Sequence, residues 1–352
     1  MPKQPLQKGP RAEELLRSYF LDLGYFVVRG IIFAFQEFDI TDIDLWLYMR
    51  PSPLTRERLL VDIKSKRTPQ AIERIFWAKG LQIALGLDGS IVATTDKRPA
   101  VRDFGLRNNV TVLDGTFISR LESQRPPLNE RLSEEEFLAS LSSDSLAKLR
   151  GDWITKLRQS KSRLLSNLDF TGCNTWLADA SYFVEQSIVD SQRRMPATRL
   201  LYLNISYFLI ALDYILKDLS FVDTSIKMKA LKDGFIYGTT GRQGIDQLLS
   251  QAVTLIENYL PDGKKRSDVL RRGILADFEN VPADVLKEFF GKGEVSRSIF
   301  GYARKFEELA YSRKFIPPWA LDNDLKSVLG VVLDFSQTER RRFFEAFGES
   351  SS

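Results

Sequence analysis

The sequence predicts a mixed α/β domain over residues 1–120, a linker at 121–132, and a mostly α-helical domain over 133–352. Three observations carry this. Up to about residue 118, short β-branched and aromatic runs bounded by Gly and Pro alternate with stretches of helical spacing. From Ser133 onward the spacing is helical, punctuated by Gly and Pro, with few strand-like runs. A chain of 352 residues, 43% of them hydrophobic, has material for two cores.

RAEELLRSYFLDL, residues 11–23, has apolar residues at 15, 16, 19, 20 and 23, and Gly24 follows where a helix would stop. YFVVRGIIFAF is extended in character. ITDIDLWLYM alternates, and after the polar, proline-marked RPSPLTRER the run LLVDIKS returns as a strand, which suggests an antiparallel hairpin. TPQAIERIFWAKGLQIALG reads as a helix, with Thr68 as a cap and Pro69 in the first turn. GSIVATT is a buried strand, KRPAVRDFGLRNN a helix and VTVLDG another strand. RLESQRPPLNERLSEEE is charged and carries Pro126 and Pro127, as a domain edge would. Ser133 and Glu136 have the spacing of a capping box.

Absences narrow the chemistry. There is no histidine, which removes histidine general bases, Ser-His-Asp and Cys-His nucleophiles, and zinc sites needing imidazole. The lone Cys173 can form no intramolecular disulfide and reads as a small half-buried residue. Net charge is +4, compatible with nucleic acid and weak as an argument for it. The opening MPKQPLQKGPRAEELL lacks an apolar signal-peptide core, and LLYLNISYFLIALDYIL is interrupted by Asn204, Ser206 and Asp213, so it reads as a buried core helix. The expectation is a soluble, cytoplasmic protein with no membrane partner. Any catalysis would rest on carboxylates, Lys, Arg, hydroxyls or a hard metal held by oxygen.

The run LLVDIKSK, residues 59–66, poses the functional question, because an apolar strand carries charges at Asp62, Lys64 and Lys66. Alternation sends these three to one face and Val61, Ile63 and Ser65 to the other. On the preceding strand Asp42 and Asp44 share a face, and hairpin pairing can bring Asp44 beside Asp62. Two converging carboxylates repel unless a cation lies between them. Mg²⁺, with Mn²⁺ as a substitute, suits an all-oxygen site. A lysine beside it can stabilise developing negative charge and position a water. Together they suit hydrolysis of a phosphodiester.

At these residues the chain resembles the PD-(D/E)xK nuclease superfamily, and within it the Mrr-type restriction endonucleases. The likeness runs over residues 11–118 and rests on Glu14, Gly24-Tyr25, Asp44-Leu45, Asp62-Ile63-Lys64 and Asp114-Gly115. The superfamily's proline is replaced by Ile43. The resemblance implies a restriction-endonuclease-like fold and a metal-dependent DNA endonuclease in a prokaryotic restriction or anti-phage setting. Asp44 and Asp62 would be metal ligands, with the Ile63 carbonyl as a third. Lys64 would orient the water, and Glu14 would complete the site. Asp42 is a rival for Asp44, and Glu13 for Glu14. Lys66, Arg67, Gln70 and Lys79 are candidates to touch DNA.

A non-catalytic nucleic-acid-binding or assembly subunit with the same fold is the alternative function. RNA stands as a third substrate reading, since the metal site does not distinguish sugars. The helical domain would serve recognition, homodimerisation or docking of a partner protein. GTTGRQG, residues 238–244, lacks the spacing of a phosphate-binding loop and reads as a connection between helices. GKKRSDVLRR reads as a solvated helix start.

Overall fold

The eight residues Glu57–Lys64 form the middle strand of a five-stranded sheet in the computed structural model, which describes residues 8–36, 38–64, 70–124, 130–141 and 152–348. The chain divides into two units, residues 1–166 with Tyr311–Lys314, and residues 167–310 with 315–352.

The first unit runs α1 (Lys8–Asp22), β1 (Phe26–Phe35), β2 (Phe38–Met49), β3 (Glu57–Lys64), α2 (Ala71–Ala84), β4 (Gly89–Thr94), α3 (Pro99–Arg107), β5 (Thr111–Leu113), α4 (Gly115–Gln124), α5 (Glu134–Leu141) and α6 (Trp153–Ser166). The sheet order is β1-β2-β3-β4-β5, antiparallel through β3 and parallel from β3 to β5. Short polar turns suffice for the antiparallel strands, whereas α2 and α3 supply the crossovers that parallel strands require. Period-2 alternation then builds a core on one face, where Val27, Leu45, Leu47, Val61, Ile63 and Ala93 meet Leu16 and Phe20 of α1 and Leu121 of α4. On the other face α2 lies over β3 and β4, with Ala71, Ile75, Ala78 and Leu81 turned inward.

β3 is thus covered on both faces, with Leu59 through Ile63 all buried and Glu57, Arg58 and Lys64 at its two ends half-buried. On the charged face the strand approaches solvent at its ends, with Lys64 at the C-terminal one.

The expected hairpin is present as β2–β3, with Leu45 opposite Val61 and Met49 opposite Glu57. The helix expected from Thr68 begins at Ala71, and Thr68 and Pro69 lie outside the described residues. The anticipated linker is in part regular: residues 121–124 finish α4, and Arg131 bridges to Ser312. Residues 125–129 lie outside the described residues. The capping box at α5 is reciprocal, with Ser133 N–H donating to Glu136 Oε2 at 2.9 Å and Glu136 N–H to Ser133 Oγ at 3.2 Å. Helices α5 and α6 belong with the sheet, so the division falls at residue 166 rather than at 120–133. The open edge of β1 explains the placement of α6. Lys161 Nζ donates to the Arg29 carbonyl and Ser162 Oγ to the Ile32 carbonyl, both at 2.8 Å, which satisfies acceptors an edge strand would leave bare.

The second unit contains α7 (Phe170–Val189), α8 (Arg194–Leu216), α9 (Thr224–Tyr237), α10 (Gly241–Tyr259), α11 (Gly263–Glu279), α12 (Ala283–Phe290), α13 (Gly293–Tyr311, whose last residue falls in the first unit), α14 (Asn323–Phe335) and α15 (Arg340–Glu345). α8 is apolar nearly all round and is the core of this unit, as that composition demands. It is long and apolar enough to cross a membrane, yet 89% of its most apolar window is buried among the other helices. Cys173, expected to be half-buried, is fully buried on α7, and burial pushes its thiol pKa well up, so the group is inert.

Candidate active site

The ladder between β2 and β3 stops at Leu45 and Val61, one step short of the carboxylates. Asp44 therefore falls opposite Asp62 at the point where the strands part, and both side chains take the face beneath α2. Asp44 does not leave the next backbone donor bare. Its Oδ2 accepts the Ile63 N–H at 2.6 Å, a carboxylate standing in for a ladder carbonyl. The N–H and C=O of one extended residue point the same way, so the Ile63 carbonyl also turns toward β2 and the Asp44 side.

Across β1, the pairs Arg29–Leu45 and Ile31–Ile43 put Gly30 opposite Asp44. Gly30 has φ +65°, a left-handed value that favours glycine, and no atom lies within 4 Å of where its Cβ would stand. The absent side chain keeps the approach to Asp44 open. The rival Asp42 is exposed on the β1–β2 ribbon, paired with Ile32 and away from β3.

Burial pushes the Asp44 pKa up to about 6. The Ile63 N–H pulls it down, Glu13 pushes it up again, and Lys64 and Arg74 pull it down. The sign is that of a carboxylate whose charge is undercompensated. Between pH 4 and 6 the native state holds this proton longer than the unfolded chain does, so ionisation lowers stability as pH rises through that window and the loss persists above it. Asp44→Asn keeps an acceptor for the Ile63 N–H and removes the charge. It should stabilise the protein by about 2 kcal/mol at pH 8, after allowance for partial solvent screening, and by almost nothing at pH 4. Urea unfolding at the two pH values checks this, and an equal gain at both would contradict it.

Asp62 is buried, and both its oxygens are held by Arg74 of α2. Nε donates to Oδ2 at 2.7 Å and an Nη2–H to Oδ1, a bidentate pair. Sequence reasoning missed Arg74, although its position was a signal. It follows Ala71 by three residues and precedes Ala78 by four, inside the buried stripe of α2, where an arginine needs a carboxylate. The side chain of Lys64, at the end of β3 opposite Thr94, makes no hydrogen bond or ion pair among the described residues.

Glu14 is drawn elsewhere. Its Oε1 accepts from Arg29 Nη1 at 2.8 Å, from the Glu134 N–H at 3.0 Å and from Arg17 Nη1 at 3.4 Å, all in the interior. Its rival Glu13 bonds Arg29 Nε at 2.6 Å and is the α1 carboxylate that acts on Asp44. Gln70 is exposed at the N-cap of α2 and makes no side-chain cap bond. Lys79 donates to Gln82 Oε1, which also accepts from Ser90 at the start of β4, the opposite end from Thr94. Lys66 and Arg67 lie outside the described residues.

The structure thus brings together Asp44, Asp62, Lys64, the Ile63 peptide and Arg74, with Glu13 nearby. Glu14 and Lys79 are committed to other partners. No group of three or more metal-ligating side chains occurs among the described residues. The donors gathered here are carboxylate and carbonyl oxygens, the chemistry of a hard cation, and one Asp44 oxygen carries no hydrogen bond. Asp62 fits the same role only when its carboxylate is shared with, or released by, Arg74. No protein-family model, no curated protein and no solved structure matches the chain.

Proposed function

We propose that the first unit is a Mg²⁺-dependent nuclease of the PD-(D/E)xK, restriction-endonuclease-like kind, akin to the Mrr-type enzymes, that hydrolyses DNA phosphodiester bonds. A prokaryotic restriction or anti-phage setting suits it. The observation that supports this most is the meeting of Asp44 and Asp62 where β2 and β3 part, with an unpaired Lys64 two residues further on. Asp44, Asp62 and the Ile63 carbonyl would hold the cation. When bound, that cation would supply a more acidic water and neutralise charge on the phosphate. The Ile63 N–H fixes the Asp44 carboxylate in place, and Gly30 leaves room for substrate beside it. Lys64 offers an ammonium to a phosphate oxygen or a water without first having to break an ion pair.

A second reading has its own support. Arg74 neutralises Asp62 without a metal, and Glu14 is locked into the scaffold. Both favour a unit that keeps the fold for nucleic-acid binding or assembly. The deciding experiment incubates plasmid, linear duplex, single-stranded DNA and RNA with the protein in Mg²⁺ or Mn²⁺. Cutting that EDTA and Asp62→Ala both abolish is the expected result, and the substrate cut identifies the sugar. Binding without cutting would replace the nuclease reading by the second.

A further inference from the structure

α10 and α11 form an antiparallel helical pair whose inner side packs on itself and on α9, where Phe278 meets Tyr237 at 5.3 Å between ring centroids. Among the described residues nothing covers the outer side, which carries a run of apolar side chains. Leu248, Leu255 and Tyr259 of α10 are 57%, 59% and 80% exposed, and Val269 of α11 is 58% exposed. Scattered exposed hydrophobics are ordinary, but these are not scattered. With Ala252 they follow a 4-3-4 spacing at 248, 252, 255 and 259, the seam of helices that pack knobs into holes. In an antiparallel pair, the residues just before the inward positions Leu249 and Ser267 turn to the same side. That side therefore carries Leu248 and Arg266 together, and Val269 stands within one helical turn of Arg266. Gly273, with open space where a Cβ would stand, keeps the middle of this face flat.

The charges identify the occupant. α11 is basic in its first half, with Lys264, Lys265, Arg266, Arg271 and Arg272 against Asp268, and acidic at its end, with Asp277 and Glu279. Arg266 and Asp277 are about three turns apart and share a stripe with Gly273. Neither side chain makes a hydrogen bond or ion pair among the described residues. We propose that this face binds a second copy of the chain, antiparallel about a twofold axis. The α10 seams interleave, and Arg266 of each copy meets Asp277 of the other. A twofold contact must be self-complementary, and this reversal of charge along one helix is so only in the antiparallel sense. A parallel pairing would set the basic halves against each other.

The proposal is independent of the nuclease reading, and its test needs no activity. Sedimentation equilibrium of the full chain over on the order of a hundredfold dilution should show a monomer–dimer equilibrium in the wild type. Leu255→Glu should abolish it. Arg266→Glu and Asp277→Lys should each raise the dimer dissociation constant about 100-fold, because each sets like charges together twice per dimer. Mixing these two variants should restore dimers, as both cross-contacts are then opposite in sign. Helix content by circular dichroism confirms that each variant is folded. A wild type that stays monomeric, variants that dimerise unchanged, or a mixture that does not recover would each overturn the proposal.

Discussion

Replacing Arg29 by alanine is expected to cost the first unit about 3–5 kcal/mol of stability, the range for removing one partner of a buried ion network. Arg29 is 4% exposed. Its guanidinium holds Glu13 at 2.6 Å, Glu14 at 2.8 Å and Glu135 at 2.7 Å, joining β1 to α1 and α5. Burial works against its charge, but the hydrogen bond of Glu135 and the charges of Glu14 and Glu13 outweigh that and hold its pKa above the usual arginine value. The neighbouring ions are as closely matched. Glu134 binds Lys161 at 2.5 Å and Tyr311 Oη at 2.8 Å. Burial would raise its pKa, yet Lys161 and Arg17 keep it below the usual value. Taking Arg29 away leaves the interior carboxylate of Glu14 with Arg17 at 3.4 Å and a backbone N–H, too little for a full charge. The double variant Arg29→Ala/Glu14→Gln should therefore recover about 1–2 kcal/mol relative to Arg29→Ala. Urea unfolding reads both. A double variant no more stable than the single would mean that Glu14 is not the stranded charge. The same argument bears on activity assays, where a loss in a Glu14 variant reflects the scaffold unless its unfolding midpoint is unchanged.

That network shows where sequence reading stops. Period-2 alternation suffices to place Asp62 and Lys64 on one face of a strand, and the hairpin register to place Asp44 beside them, because both are local rules. Glu14 also stands in the expected helix, on a side of α1 turned away from Leu16 and Phe20, which pack on the sheet. Whether it turns to the site or to the scaffold is decided by Arg29, 15 residues later, and by Glu134, 120 residues later. No spacing rule links such positions. α5 and α6 pose the same problem. Their amphipathic pattern is that of any helix, so they read as the start of the helical half. Their partners, the open edge of β1 and the ions around Arg29, exist only once the sheet is assembled. Arg74 was accessible in principle, since an arginine inside a buried stripe demands an anion. On the nuclease reading Arg74 and a metal ion would compete for Asp62, and two cations competing for one carboxylate leave no separate trace in sequence.

That competition yields the sharpest functional expectation. On the nuclease reading, Lys64→Ala should lower the rate of phosphodiester cleavage about 10²–10⁴-fold with little change in stability, since the Lys64 side chain anchors nothing among the described residues and its charge would act on the reacting phosphate. Arg74→Ala should act in the opposite sense on the metal. Asp62 is buried, so without the guanidinium its charge is stranded, and the protein without Mg²⁺ should lose stability. A cation that takes the same oxygens then meets no rival. Its binding should restore about 2.7 kcal/mol at a concentration a hundred times its dissociation constant, a larger thermal shift than the wild type shows, because in the wild type part of that binding energy goes into displacing Arg74. On the assembly reading, Arg74 is itself the native counter-ion of Asp62. Arg74→Ala would then lose stability, and Mg²⁺ would not return it. Thermal unfolding of wild type and Arg74→Ala across a Mg²⁺ titration separates the two. A guanidinium that must yield to a cation leaves a metal-dependent rescue, whereas one that permanently replaces it leaves none.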